Sequence, residues 1–448
     1  MTALAPRITF GPVDVERRDR PDGAIELRSR TAPARHVASN GVWLRQWAAA
    51  TPEAVFLAER DGAGNWRRLT YGEALRAVRR IGQALLDRRL APGATVAILS
   101  DNSIDNALLQ LAANYVGVPI APISVGYSLL SEDFARLRHV IGIAEPALIY
   151  AEDGRPFARA LAALAGVGAE LVVGRNPPEG LATTPFAALL ATEPTDAVDA
   201  AFAAVGPDTI AKLLFTSGST GMPKAAVNTQ RMICSNQAGT DQVWPFVKRK
   251  RQVTVNWLPW NHTFGGNYVV NFILSKGGTL YIDDGRPTPE RIGRTIATLR
   301  EVSPTVYMNV PRGYDVLVPH LESDSALCAT FFRDLDQLFY AGASLPAHLW
   351  ERLQALAKTS VGHGVPMSTS WGMTETGPMH TVVHAPVDRA GNVGTPLPGA
   401  ELKLIENGGK LELRARGPNV TPGYWQDGRI VRDAFDEEGW LISGDAVQ

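Results

Sequence analysis

The spacing of apolar residues divides much of the chain into helices and strands that alternate. Between residues 71 and 90, apolar side chains recur every three or four positions, which predicts an amphipathic helix with Leu75, Val78 and Ile81 facing inward. A short apolar run at residues 95–99 follows and predicts a buried strand. Alternation of this kind favours parallel sheets covered by helices, with ligands bound beyond the carboxyl ends of the strands.

The alternation continues in two blocks and then stops. In the first block we predict helices at residues 104–116 and 132–141 and strands at 118–122 and 147–150. In the second block, which ends near residue 373, we predict strands at 253–258, 279–282, 305–309 and 337–341 with helices between them. Beyond about residue 394, apolar and polar residues alternate at every second position, which is typical of strands. Residues 402–405 and 410–415 flank Asn407, Gly408 and Gly409, which predicts a β-hairpin in a third, strand-rich lobe.

The first 38 residues carry few periodic apolar positions and are interpreted as an N-terminal arm. Within the arm, Pro21, Asp22 and Gly23 predict the turn of a small hairpin. Asn40 then follows as a candidate N-cap for a helix that carries Trp43 and Trp47.

Length sets the expected number of lobes, and composition mainly excludes classes of protein. At 448 residues the chain is long enough for about three lobes at roughly 150 residues each. A formal net charge of -1 gives no general attraction to nucleic acid or anionic lipid. The two cysteines, Cys234 and Cys328, favour buried core residues in a reducing cytoplasm over a disulfide framework. No signal peptide or membrane-spanning run is recognised, so we expect a cytoplasmic protein.

The most informative chemistry follows the strand predicted at residues 210–215, where the chain reads LLFTSGSTGMPK from 213 to 224. Its four hydroxyls, two glycines and terminal lysine are typical of a loop that holds phosphate groups. The loop lacks the Walker A pattern, because Lys224 follows Pro223 and precedes Ala225, and it lacks the dinucleotide pattern G-x-G-x-x-G. An ordinary Ser/Gly-rich turn is the alternative.

A second candidate phosphate contact is the basic run at residues 248–251. Four adjacent positive charges could hold a phosphate of a coenzyme. A solvated loop before the predicted strand at residue 253 is the competing interpretation of such a run.

Five further segments accompany the loop in fixed order, and together they carry a resemblance. They are WNHTFGG at 260–266, YAGAS at 340–344, SWGMTET at 370–376, RGPNVTPGYW at 416–425 and LISGD at 441–445. The chain resembles the adenylate-forming superfamily of acyl-CoA synthetases, adenylation domains and luciferases from about residue 40 to its last residue. That family joins a carboxylate to ATP as an acyl adenylate, and most members then pass the acyl group to coenzyme A.

The resemblance implies an α/β fold with two doubly wound subdomains and a smaller β-rich lobe of distorted-barrel character. Residues 39–448 would form the large AMP-binding domain, with approximate sub-lobes at 39–205, 206–393 and 394–448. The family continues after the Gly-Asp pair into a hinge and a C-terminal lid that carries a catalytic lysine. Because the chain stops at Gln448, we expect the large domain alone, with poor turnover. A naturally lidless, non-catalytic nucleotide-binding module remains an alternative of a different class.

The resemblance also implies a role for each motif residue. The loop residues Thr216, Ser217, Gly218, Ser219, Thr220 and Gly221, together with Lys224, would hold the β- and γ-phosphates of ATP. Thr374 would donate to the α-phosphate, and Glu375 would ligate Mg²⁺. A lone Glu is otherwise most often a surface charge, so this role rests on its sequence context.

Adenine would lie against Trp371, where the family usually has Tyr or Phe, with Gly372 and Met373 beside it. Gly342, Ala343 and Ser344 would form the opposite wall, and Asp445 would accept hydrogen bonds from the ribose hydroxyls. His262 would gate the acyl pocket and later the thiol tunnel. For Trp371 and His262 the alternative is a residue of the core.

The substrate is the least determined part of the resemblance. Segments 227–237, 257–267, 277–289 and 304–319 are similar to bacterial feruloyl-CoA synthases, which activate hydroxycinnamic acids. A planar phenylpropenoate needs a flat slot with polar groups at its far end. Candidate lining residues are His262, Phe264, Gly265, Asn267, Tyr268, Asn309 and Tyr314. A ligase for another aryl acid or a fatty acid is the alternative, and the oligomeric state is not predicted.

Overall fold

The strand that precedes the hydroxyl-rich loop lies inside the largest sheet of the protein. A computed structural model of the chain describes residues 8–216, 221–387 and 389–447. Within these residues the sheet has nine strands, in the order Arg429–Val431, Tyr424–Gln426, Lys224–Thr229, Ile210–Thr216, Ile120–Pro122, Thr95–Ile98, Pro146–Asp153, Glu170–Arg175 and Thr184–Pro185. The six strands from Ile210–Thr216 onward run parallel, and the first three add antiparallel.

Two smaller sheets form a second layered region. One consists of Val253–Asn256, Thr279–Ile282, Val55–Arg60 and Trp66–Thr70, and the other of Val306–Asn309, Gln337–Tyr340 and Met367–Thr369. The amide of Thr305 donates to the carbonyl of Val253 at 2.8 Å, so the two sheets meet edge to edge. Except for the hairpin from residue 55 to 70, their strands run parallel.

Helices connect the parallel strands and cover the sheets. In the described ranges they are Asn40–Ala50, Tyr71–Asp87, Ile104–Tyr115, Gly126–Leu129, Ala135–Ala144, Gly154–Ala163, Phe186–Leu190, Asp196–Ala204, Gln230–Val243, Val270–Ser275, Ile292–Glu301, Pro311–Ser323, Ser325–Arg333 and Ala347–Val361. Short 3₁₀ turns span Pro245–Lys248 and Thr374–Thr376, and a π-helix spans Phe264–Val269. Helix Tyr71–Asp87 begins with a capping box between Thr70 and Glu73, which satisfies amides at its N-terminus.

The strand-rich lobe is an antiparallel sheet to which both ends of the described chain contribute. Its order is Val15–Asp19, Ile25–Ser29, Glu401–Asn407, Lys410–Arg416 and Leu441–Val447. The edge strands do not pair with each other in the described residues, so the lobe is an open sheet and not a closed barrel. A pair of short strands, Thr381–Val382 and Thr395–Pro396, lies between this lobe and the rest.

Most predicted elements are present, with shifts of a few residues at their ends. The strand Thr279–Ile282 has the predicted bounds, and both predicted hairpins form, with Asp19 opposite Ile25 and Asn407 opposite Lys410. Asn40 is not an N-cap. It lies in the first turn of its helix and is buried, and its side-chain amide points to Asn271 at 3.3 Å.

The sheets do not follow the approximate sub-lobe boundaries that were expected at residues 205 and 393. The strands from 210 to 229 complete the sheet begun at residue 95, and the hairpin from 55 to 70 pairs with Thr279–Ile282. The N-terminal hairpin, part of the predicted arm, pairs through Ile25–Ser29 with Glu401–Asn407. Each of these sheets therefore combines strands that are far apart in the sequence.

Both cysteines are buried, as expected for core residues. Among the described helices, none has the length and apolar content needed to cross a membrane.

Candidate functional site

The hydroxyl-rich loop joins two neighbouring antiparallel strands in the largest sheet. Thr216 ends the first strand and pairs in register with Lys224, which begins the second. Gly221 has φ +84°, a left-handed conformation that glycine adopts without strain. Ser217, Gly218, Ser219 and Thr220 lie outside the described residues. The structure thus brings the predicted phosphate contacts Thr216 and Lys224 opposite each other at the two ends of the loop.

Glu375 lies beside the end of this loop. It belongs to the short turn Thr374–Thr376 and is buried, with 3% of its surface exposed. Its Oε1 accepts a hydrogen bond from the Tyr424 hydroxyl at 2.7 Å and a longer one from the Thr216 hydroxyl at 3.4 Å. Burial, followed by the neighbouring Glu375 carboxylate, raises the pKa of Tyr424 well above its usual range, so this phenol stays protonated and donates.

The surroundings of Glu375 fit a magnesium ligand. No basic side chain among the described residues forms an ion pair with this buried carboxylate, whose side-chain partners are hydroxyl groups. A buried carboxylate without a cationic partner is costly unless a cation binds it. In the described ranges no cluster of three or more His, Cys, Asp or Glu forms a complete metal cage. This combination suits Mg²⁺, which commonly takes one or two carboxylates and completes its shell with phosphate oxygens and water.

Lys224 points toward the outer strands of the sheet. Its Nζ lies 3.4 Å from Asp433 Oδ2 and 5.4 Å from the centre of the Tyr424 ring. The side chains of Lys224 and Asp433 are 41% and 57% exposed, and a pair this exposed contributes little to stability. Lys224 can therefore leave Asp433 for a stronger anion at small cost.

Trp371 and Asp445, predicted for the adenine and the ribose, contact each other. Trp371 Nε1 donates to Asp445 Oδ2 at 2.8 Å across 74 positions of the chain. The indole is partly buried against an apolar cluster of the strand-rich lobe that includes Leu402 and Leu413, and its edge faces the ring of His380. The two predicted contacts of the nucleoside are thus joined in one hydrogen-bonded pair.

Gly372, Met373 and Thr374 follow Trp371 and differ in their surroundings. A Cβ on Gly372 would come within 1.9 Å of the Pro378 carbonyl oxygen, so this position requires glycine. Met373 donates its amide to the Thr376 hydroxyl at 2.9 Å. Thr374 is partly exposed.

Residues 342–344 follow the strand Gln337–Tyr340, whose parallel neighbour Met367–Thr369 ends just before Trp371. Gly342, Ala343 and Ser344 are all exposed, and Gly342 has φ +87°. Because carboxyl ends of adjacent parallel strands share one edge of a sheet, the two predicted walls of the adenine site emerge from neighbouring strand ends.

His262 precedes the π-helix Phe264–Val269. It is solvent-exposed, yet the surrounding protein desolvates it enough to lower its pKa, which favours a neutral imidazole. Gly265 and Gly266 pack against the backbone of residues 258–260, where an added Cβ would lie 2.5 Å and 2.1 Å from carbonyl oxygens. This close approach fixes the π-helix behind His262 and explains the paired glycines. Phe264 is buried, with its ring edge toward Phe339.

The predicted polar lining of the acyl slot is only partly available. The Asn267 amide nitrogen donates to Asn228 Oδ1 at 2.7 Å, while its buried Oδ1 has no partner in the described ranges. Tyr268 is fully buried among the rings of Phe264, Phe272 and Phe339.

Asn309 and Tyr314 do not offer polar groups to a substrate. The Asn309 amide bonds to the Tyr307 hydroxyl and to the amide of Val310, and Tyr314 lies in the core with its hydroxyl 2.8 Å from the Tyr307 carbonyl oxygen. Both side chains therefore have structural roles, and the prediction for them was misled by their polar character.

Two residues at the site were assigned no role from the sequence. Tyr424 lay in a recognised motif, but only the fold brings it to Glu375. Lys212 lies in the middle of the apolar strand Ile210–Thr216 and is 4% exposed. Its Nζ donates to the carbonyl of Gly266 at 2.8 Å. Burial lowers the pKa of Lys212 to about 7. A lysine inside an otherwise apolar strand is the sequence signal that could have identified it.

The basic run is explained by structural contacts. Lys248 pairs with Asp241 at 3.0 Å, Lys250 pairs with Asp336 at 2.8 Å, and Arg251 donates to the carbonyl of Val55. These contacts favour the structural interpretation over a coenzyme phosphate site.

Comparison with known proteins finds a matching family and relatives along most of the chain. The sequence profile described as AMP-binding enzyme matches residues 44–425. A 3-[(3aS,4S,7aS)-7a-methyl-1,5-dioxo-octahydro-1H-inden-4-yl]propanoyl:CoA ligase of Mycobacterium tuberculosis is 28% identical over 85% of this chain and 71% of its own. A 3-hydroxybenzoate–CoA ligase of Aromatoleum sp. is 26% identical over 85% of this chain and 70% of its own.

The fold is also found in solved structures. A benzoate CoA ligase from Burkholderia xenovorans superimposes with a TM-score of 0.73 at 22% identity, covering 92% of this chain and 77% of that one. The predicted α/β fold class is thereby confirmed.

Proposed function

This chain belongs to the AMP-binding enzyme family, and from that membership we propose that it activates an aromatic carboxylic acid with ATP for transfer to coenzyme A. The class of acyl-CoA ligase is common to both relatives described above.

The observation that carries the proposal is the convergence of Thr216, Lys224, Glu375 and Tyr424 at one edge of the largest sheet. Attack of a carboxylate on the α-phosphate builds charge on phosphate oxygens and on the leaving pyrophosphate. Catalysis of this step depends mainly on prearranged donors and positive charge. A lysine, a hydroxyl-rich loop and a carboxylate suited to a metal supply these groups without a protein nucleophile.

In this proposal each residue has a defined task. Lys224 and Thr216 bind the β- and γ-phosphates, and Thr374 donates to the α-phosphate. Glu375 would hold Mg²⁺, which supplies positive charge to the phosphate oxygens. Trp371 and Asp445 orient the nucleoside, the latter through the ribose hydroxyls.

His262 and the π-helix behind it form the acyl side of the site. Among the described residues no side-chain hydrogen bond holds the exposed imidazole of His262, and a neutral ring that can turn suits a gate between the acyl pocket and the thiol path. The buried rings of Phe264, Tyr268 and Phe339 pack together at the π-helix, and this aromatic surrounding supports a planar aromatic substrate. Asn267 Oδ1, which has no partner among the described residues, would accept a hydrogen bond from a phenolic hydroxyl. We therefore propose a hydroxycinnamic acid of the feruloyl type.

The substrate proposal is tested by calorimetry with the chain in the presence of AMP. Ferulate should bind more tightly than benzoate, and benzoate more tightly than octanoate, because the proposed slot is flat and would exclude a flexible chain. Pyrophosphate exchange driven by the same three acids gives an independent ranking. Tighter binding of octanoate would replace the aromatic proposal with a fatty acid.

A further inference from the structure

Lys224 and Glu375, which carry opposite charges, both lie beside Thr216, and the described residues show no ion pair between them. Lys224 is in register with Thr216, and the hydroxyl of Thr216 reaches the Glu375 carboxylate at 3.4 Å. An ammonium and a carboxylate that share a neighbour attract each other, although the 41% exposure of the Lys224 side chain lets water screen part of this attraction. A direct pair would neutralise both the metal ligand and the phosphate contact. The lysine instead contacts Asp433.

Tyr424 contacts both charges through different parts of its side chain. Its hydroxyl donates to Glu375 Oε1 at 2.7 Å, and its ring centre lies 5.4 Å from Lys224 Nζ. The strand register explains this geometry. Tyr424 is opposite Ala226, two residues beyond Lys224, so its side chain is a diagonal neighbour of the lysine on one face of the sheet.

The hydroxyl engages one oxygen of the carboxylate and leaves the other for a ligand. The described hydrogen bonds from Tyr424 and Thr216 both end on Oε1. Within the described ranges no hydrogen bond reaches Oε2, so this oxygen can bind a cation. The face of the ring meanwhile gives the ammonium a weak cation–π contact, which a phosphate can displace.

We propose that Tyr424 is a positioning residue that keeps Glu375 and Lys224 apart, so that the carboxylate stays available for a divalent cation and the lysine for the phosphates of ATP. This inference rests on the proposed function. In this inference the Tyr424 hydroxyl positions Glu375 and the Tyr424 ring positions Lys224. Different substitutions can test the hydroxyl and the whole side chain separately.

The first variant, Tyr424→Phe, removes the hydroxyl and keeps the ring. Mn²⁺ serves as the probe, and its binding to the ATP-loaded chain is followed by electron paramagnetic resonance. We expect Mn²⁺ affinity to fall about tenfold, the size of one hydrogen bond to a charged group. ATP binding without metal, measured by calorimetry, should change less than about twofold, because the ring still faces Lys224.

The second variant, Tyr424→Leu, removes both parts. Lys224 can then pair with Glu375, so both Mn²⁺ affinity and metal-free ATP affinity should fall. Adding Glu375→Gln to this variant removes the competing carboxylate and should restore metal-free ATP affinity. A residue that acts only on stability would show no such rescue.

Trp425→Phe provides the matched control on the same strand. Its side chain packs instead beside Gly93, in a cluster behind the sheet, so neither affinity should change. Unchanged Mn²⁺ binding in Tyr424→Phe, or failure of Glu375→Gln to restore ATP binding, would overturn the inference. Absence of ATP binding in the unsubstituted chain would instead refute the proposed function.

Discussion

Trp371 adds a hydrogen bond at the position predicted to lie against adenine. Its indole keeps an aromatic surface where the resemblance implies adenine, and its ring nitrogen adds a hydrogen bond to Asp445 at 2.8 Å. Tyr or Phe, the usual residues of the family, lack this nitrogen. The sequence predicted both residues for the nucleoside, but their contact spans 74 positions and depends on the packing of the strand-rich lobe.

Replacing Trp371 by Phe tests this contact. The substitution keeps an aromatic ring and removes the donor that orients Asp445. We expect ATP affinity to fall about fivefold to tenfold, the cost of one hydrogen bond to a carboxylate. Affinity for 2′,3′-dideoxyATP should change less than about twofold, because that nucleotide lacks the hydroxyls through which Asp445 acts.

Trp350→Phe is the matched control for this experiment, because the buried Nε1 of Trp350 has no partner among the described residues. Equal losses for ATP and the dideoxy nucleotide in Trp371→Phe would show that the indole acts on adenine or on folding, and not through Asp445.

Secondary-structure elements were predicted best where local periodicity determines them. Strand Thr279–Ile282 and helix Tyr71–Asp87 follow directly from apolar spacing. The hairpin of Val55–Arg60 and Trp66–Thr70 was not predicted, although it pairs with Thr279–Ile282. That pairing joins segments more than 200 residues apart and buries strand Val55–Arg60 in a sheet that local sequence does not reveal.

His380 connects three elements around the site. Its Nε2 donates to the carbonyl of Glu401, in the first strand of the C-terminal hairpin, at 2.8 Å. Its Nδ1 accepts from the amide of Asn419 at 3.2 Å, and its ring contacts Trp371. Nδ1 can accept this hydrogen bond only while the ring is neutral, because both ring nitrogens donate in the protonated form. Burial lowers the pKa of His380 to about 4, in agreement with this arrangement.

This histidine predicts a pH dependence of stability. An unfolded histidine has a pKa of about 6.5. Between that value and about 4 the unfolded chain therefore binds more protons than the folded one. The stabilisation from neutral His380 is complete above pH 6.5 and is lost as the pH falls toward 4.

Urea unfolding of the chain and of His380→Gln at pH 7 and pH 5 measures the effect. From pH 7 to 5 the unsubstituted chain should lose about 2 kcal/mol more of its free energy of unfolding than the variant. Equal losses would show that His380 does not remain neutral in the folded protein.

Across the whole molecule, the sequence identified the family more fully than it predicted how the sheets assemble. The sequence placed residues 216–224 at the end of one strand, and the fold brings Glu375 to the same place through its contact with Thr216. The sub-lobes were harder to predict, because the N-terminal hairpin and the strand Leu441–Val447 join one sheet from opposite ends of the chain. Asn309 and Tyr314 show the same limit, since a polar residue in a core cannot be distinguished from one in a pocket by sequence alone.

In the proposed function, one site holds the nucleotide and the acid together as an acyl adenylate. Calorimetry with 5′-O-(N-feruloylsulfamoyl)adenosine, a stable analogue of that intermediate, tests it directly. The analogue should bind at least about 100-fold more tightly than AMP or ferulate alone, because it joins the contacts of both. Binding no tighter than that of AMP would show that the nucleotide and the acid do not share one site.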